Sequence, residues 1–228
     1  MVRRSLSITI TTLLFLVATL VQAYDAHVEE VINNPTATYK NAFSINVTLE
    51  IWNRVLDNPH LMGQLWEMYG FRPRYKVTKT ETGIHVTDPS GITGDIRQVG
   101  REDHARTFYA AGAFDHWAVP SFFTADGVVV FEYSRERNIL SGEANIFMRG
   151  DNGISRVVMK IFSGILTRHI NNRVDSSFEN IKKIIQDISN DPQKLRDRLD
   201  GPLLNDFDKV FPVAKNKPAK GQGMPSDF

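Results

Sequence analysis

The residues that decide the fold run from Ile154 to Ile188, ISRVVMKIFSGILTRHINNRVDSSFENIKKIIQDI. Val158, Ile161 and Ile165, and further on Phe178, Ile181, Ile185 and Ile188, recur three or four residues apart. That spacing places them on one stripe of an α-helix. Arg156, Lys160, Arg168 and Lys183 fall on the other side. A helix over the whole stretch would be roughly 52 Å long at 1.5 Å per residue. Something extended must lie beneath it, and the chain before it reads as strands. The expectation is an α+β fold in which a curved antiparallel sheet grips this helix. Asn171-Asn172, poor helix formers, mark the expected break or bend.

Working backward, Leu140 to Arg149 alternates: Leu140, Gly142, Ala144, Ile146 and Met148 on one face, Ser141, Glu143, Asn145 and Arg149 on the other. Phe147 breaks the pattern. The apolar set should face the helix. Earlier strands are expected at Ala42–Thr48, Tyr75–Thr80, Ile84–Asp88, Ile92–Val99, Ala105–Phe114 and Val128–Arg135. Ala125-Asp126-Gly127 reads as a turn. Two short helices follow the first strand, Leu49–Asp57 capped by Thr48, and a second opened by Pro59 and stopped at Gly70. Within Ala105–Phe114 the small residues Ala110 and Gly112 lie between Phe108 and Phe114 on one face, leaving space above the sheet. A bulky helix residue or a ligand would fill it.

Before the fold comes Arg3-Arg4, an apolar run from Ile8 to Leu20, and Val21-Gln22-Ala23. This is the pattern of a secretory signal peptide cut after Ala23. Loss of Arg3 and Arg4 takes the formal charge from +1 to near neutrality, which argues against nucleic acid as a partner. There is no cysteine, so disulfides, thiol nucleophiles and thiolate metal sites are excluded. An exported chain of this size without bridges fits a bacterial periplasm. The ligand-binding domain is expected over 24–190. Residues 191–228 are expected to be a charged helical segment and a disordered tail, available to an envelope protein partner.

A strand, two short helices carrying Trp52, Leu56 and Pro59-His60-Leu61, an antiparallel sheet and one long C-terminal helix together resemble the START-like, or helix-grip, superfamily. The resemblance covers roughly Ala42 to Ser189. It implies a hydrophobic cavity between sheet and helix. Phe108, Ala110, Phe131 and Ala144 from the strands, Trp66 from the second short helix, and Val158, Ile161 and Ile165 from the long helix would lie near it. Such a protein would carry a lipid, sterol or polyprenoid, without cofactor or metal, and release it at a membrane. Glu132 shares a face with Val128 and Val130. It is either a polar anchor paired with Arg97 or Arg106, or simply exposed. An enzyme reading in the same cavity would use His104, Asp115 and His116 as acid and base.

Overall fold

The computed structural model describes residues 26–89, 91–114, 124–153, 155–157 and 163–212, with the backbone alone at 114 and 163–173. The chain opens with helix α1, residues 26–33. It continues as β1 (Ala37–Asn46), α2 (Leu49–Leu56), α3 (Pro59–Met68), β2 (Lys76–Lys79), β3 (Ile84–Thr87), β4 (Ile92–Glu102), β5 (Ala105–Phe114), β6 (Thr124–Glu136) and β7 (Ile139–Gly150). Three helices follow: α4 (Ser163–Asn190), α5 (Pro192–Arg196) and α6 (Gly201–Val210). The strands form one antiparallel sheet in the order β1-β7-β6-β5-β4-β3-β2. The fold is α+β, a curved, unclosed sheet gripping a long helix, as expected.

Local chemistry sets the helix starts. The Thr48 side chain accepts from the Ile51 N–H at 3.2 Å, capping α2. Pro59 sits in the first turn of α3, where its missing N–H costs nothing. Asp191 caps α5 by accepting from the Lys194 N–H at 2.9 Å.

The strand alternation read from the sequence holds. On the concave face Leu140 and Ala144 of β7 are fully buried, and Phe131 and Tyr133 of β6 pack into the same core. Trp52, Leu61, Leu65, Ile184, Ile185 and Ile188 close that core from the helices. Each such side chain contributes about 1.5–3 kcal/mol by leaving water. Gly94 and Gly112 face one another across β4 and β5. A Cβ at Gly94 would come within 2.7 Å of the Ala111 carbonyl oxygen, and one at Gly112 within 2.8 Å of the Thr93 oxygen. Only glycine permits so close an approach, as at bends of curved sheets.

Four features differ from the sequence expectations. First, α4 runs unbroken through Asn171-Asn172; a helix anchored by packing overrides weak local propensity. Residues 154 and 158–162 lie outside the described set. Second, Asp126-Gly127 is no turn but lies inside β6, near its start. Asp126 is tolerated there because the Tyr109 hydroxyl donates to it at 2.5 Å and His27 Nε2 lies 3.1 Å from its other oxygen. Third, Phe147 faces a second, smaller core on the convex side, where α1 lays Val28 and Val31 over Tyr109 and Val128. Its break in the alternation is thereby explained: this strand is apolar on both faces where α1 covers it. Fourth, the fold does not stop at Asn190. Leu195, Leu199 and Phe207 are buried in the main core, so α5 and α6 belong to the domain. The expected signal peptide and the tail beyond Pro212 lie outside the described residues.

A cleft between the edge strand and the long helix

Because β1 is an edge strand, one of its sides has no neighbouring strand. The helix α4 runs past it, and between them lies a cleft of about 270 Å³. Its apolar wall is built by Phe43 and Ile45 from β1, Trp52 from α2, and Phe178, Ile181 and Ile185 from α4. The α4 residues come from successive turns, so one face of the helix supplies them all. Phe43 stacks on Trp52 at 4.9 Å between ring centroids and lies 6.1 Å from Phe178. Phe131 meets Phe43, Trp52, Phe108 and Phe178 at 6.0 to 6.5 Å. These are the separations at which aromatic pairs attract.

Polar groups gather at the mouth. The Tyr39 hydroxyl donates to Asp175 Oδ1 at 2.5 Å, and the Asn41 amide donates to the same oxygen at 3.0 Å. Burial, and then the hydrogen bond to Asp175, push the Tyr39 hydroxyl above its ordinary pKa. Glu179 and Lys182 flank the opening, 3.8 Å apart. Further along α4 the Tyr69 hydroxyl of α3's C-cap donates to Asp187 at 2.6 Å. Burial and Asp187 together raise the Tyr69 hydroxyl to about 12. Burial alone would raise the Asp187 carboxyl; hydrogen bonds from Tyr69 and Lys183 outweigh it and hold it below its usual value. These contacts fix α4 against β1 and α3, so the cleft has two anchored walls.

The sequence-nominated residues are distributed differently. Phe108 and Ala144 are buried, Phe131 and Ala110 half-buried, all on the concave face. None of the four lines the cleft. Ala110, Gly112, Gly127 and Gly94 do form a floor of small, half-buried residues on the central strands. The side chains of Val158, Ile161 and Ile165 lie outside the described set. Trp66 is packed elsewhere: its indole N–H donates to the Pro73 carbonyl at 2.8 Å, and its ring meets Phe71 and Tyr75. Glu132 is exposed on the convex face beside Asn145 and does not enter the grip. Its suggested partners are occupied otherwise. Arg106, 3% exposed, pairs with Asp57 at 2.8 Å, and Arg97 lies over the Tyr109 ring.

His104 is exposed in the β4–β5 turn, at the start of a ten-residue strand ending at Phe114. That strand is about 30 Å long. Asp115 and His116 follow Phe114 and lie outside the described residues. No group of three or more potential metal ligands occurs among the described residues, and no described helix is long and apolar enough to cross a membrane.

No family model and no curated protein matches the chain. Solved structures resemble its backbone. A conserved protein from Geobacillus kaustophilus aligns at 10% identity over 67% of this chain and 97% of its own, with a TM-score of 0.49. A hypothetical protein from Helicobacter pylori aligns at 8% identity, 68% and 92% coverage and a TM-score of 0.48. Norcoclaurine synthase from Thalictrum flavum, solved with dopamine and hydroxybenzaldehyde, aligns at 10% identity, 66% and 87% coverage and a TM-score of 0.45. Likeness at this level concerns the course of the backbone and carries nothing about ligand or chemistry. The architecture is compatible with a helix-grip fold.

Proposed function

We propose that the protein is an exported START-like carrier that binds a hydrophobic small molecule, such as a lipid, sterol or polyprenoid, between its sheet and α4. The observation that carries this reading is the cleft of about 270 Å³ with an aromatic and aliphatic wall and polar groups confined to its mouth. Small-ligand sites in general have this distribution of apolar lining and few convergent polar groups. Export rests on the basic and apolar pattern of residues 3–23. Burying about 300 Å² of ligand would supply roughly 7 kcal/mol before ordering costs. Binding and release then require no covalent step. A brief encounter with a membrane suffices for loading and unloading.

Native mass spectrometry of the purified chain tests this. The wild type should carry a co-purified or added apolar ligand as a discrete mass increment. Ile181→Trp, which places a large ring in the cleft, should lose that increment while keeping its melting temperature within a few degrees. A ligand retained at full occupancy in Ile181→Trp, or no apolar ligand ever bound by the wild type, would refute the assignment.

A further inference from the structure

Of the two buried side-chain polar atoms without a hydrogen-bond partner among the described residues, Trp52 Nε1 and Gln64 Oε1, only the first belongs to a residue of the cleft. Trp52 is 3% exposed, and an indole N–H can only donate. Buried donors are nearly always paired, because leaving one unpaired forfeits its bond to water. Trp52's ring is otherwise fully engaged, stacked on Phe43 and edge-on to Phe131 and Tyr133. The contrast with Trp66 is direct, since that equally buried indole donates to the Pro73 carbonyl.

The mouth adds a second constraint. Asp175 is met by two neutral donors, Tyr39 and Asn41, which leave its charge in place. Lys182 is matched by Glu179. Among the described residues of the cleft, the field at the entrance is therefore negative.

We propose that the Trp52 indole N–H is a ligand-binding donor, and that the cleft's ligand is an uncharged apolar molecule carrying an acceptor oxygen: an alcohol, ether or carbonyl compound. This rests on the reading of the cleft as the ligand site. A carboxylate headgroup offers an acceptor but meets Asp175 at the entrance. An ammonium headgroup suits the entrance but gives the indole nothing to bond. The neutral oxygen compound alone satisfies both. The indole nitrogen is closed to water, so the incoming oxygen must displace a lining side chain.

Three probes of equal chain length separate the possibilities: 1-decanol, decanoate and decylammonium, titrated into the purified chain at pH 7. Decanol should bind about tenfold more tightly than either ion, the factor that one well-made buried hydrogen bond supplies. In ¹⁵N-labelled protein, decanol should move one indole N–H resonance downfield, and Trp52→Phe should delete that resonance. Trp52→Phe keeps an aromatic ring in place, and its decanol affinity should fall about fivefold more than its decylammonium affinity. Equal binding of all three probes, or tightest binding of decylammonium, would overturn the donor assignment and leave the apolar cleft standing. Failure of every probe to bind would overturn both.

Discussion

Tyr69 is a single-atom test of how α4 is held. Its hydroxyl donates to Asp187 Oδ2 at 2.6 Å, and Lys183 Nζ reaches the same oxygen at 3.2 Å. Tyr69→Phe removes that donor, together with the hydroxyl's contact to Arg198, while Phe keeps the stacking on Phe71 and lets the Arg198 guanidinium remain over the ring. A hydrogen bond to a charged group is worth about 1.5–3 kcal/mol when sequestered, and the Asp187 side chain is 35% exposed, so about 1 kcal/mol is expected. For a chain of this size that corresponds to a melting temperature lower by roughly 2–4 °C. The pH dependence has a defined sign. The Tyr69 hydroxyl is raised from 10.0 to about 12, so its stabilising contribution is complete below pH 10 and disappears as pH rises toward 12. The Asp187 carboxyl is lowered from 3.8. Its contribution is present above that value and is lost as pH falls through the lower folded one. The difference in melting temperature between wild type and Tyr69→Phe should therefore be flat in the neutral range and close at both extremes. Circular dichroism melts of both proteins in a matched buffer series at constant ionic strength measure it. No difference at pH 7, or a difference that persists undiminished at pH 12, would refute the coupling.

Two substitutions probe the rest of the frame. Phe207→Ala, at a position 1% exposed in the main core, should cost about 3–5 kcal/mol in urea unfolding if α6 is integral to the domain. A negligible loss would return residues 191–210 to the status of an appendage. Arg106→Ala strips a 3%-exposed guanidinium from Asp57. It should destabilise the protein by up to about 3 kcal/mol, since Asp57 then keeps only its ion pair with the exposed Arg101 at 2.8 Å, and the double variant that also carries Asp57→Ala should recover part of the loss.

The long helix and the sheet beneath it were legible because their signals are local. Leu140, Ala144 and Ile184 fall where period-2 and period-3.6 patterns place them. The cleft was not legible, although Phe43, Trp52 and Phe178 all stand in segments correctly read as strand or helix. What makes them a wall is that β1 pairs with β7, with Phe43 opposite Gly142, and that among the described residues no strand lies beyond β1. Edge position is a property of strand order, which no window of sequence contains. The convex side failed for a related reason. Asp126-Gly127 carries a turn signal, and only the distant Tyr109 and His27 make it a strand. Helix α1, with Val28, Val31 and Ile32 as its apolar contacts, is too short for periodicity to say which face it covers.

The placement of the cleft also bears on how a ligand would move. The aromatic cluster around Phe131 and the buried Leu140 and Ile184 occupy the grip where α2, α3 and α4 converge. A molecule in the cleft therefore enters past the sheet edge, between Asn41 and Asp175, rather than through that core. Breaking the Tyr39 and Asn41 hydrogen bonds to Asp175 removes two of the contacts that hold α4 to β1. Both bonds converge on one carboxylate oxygen, so a single displaced side chain weakens them together. An entrance secured in that way can open at small cost while the domain stays folded, which is the property a reversible carrier requires.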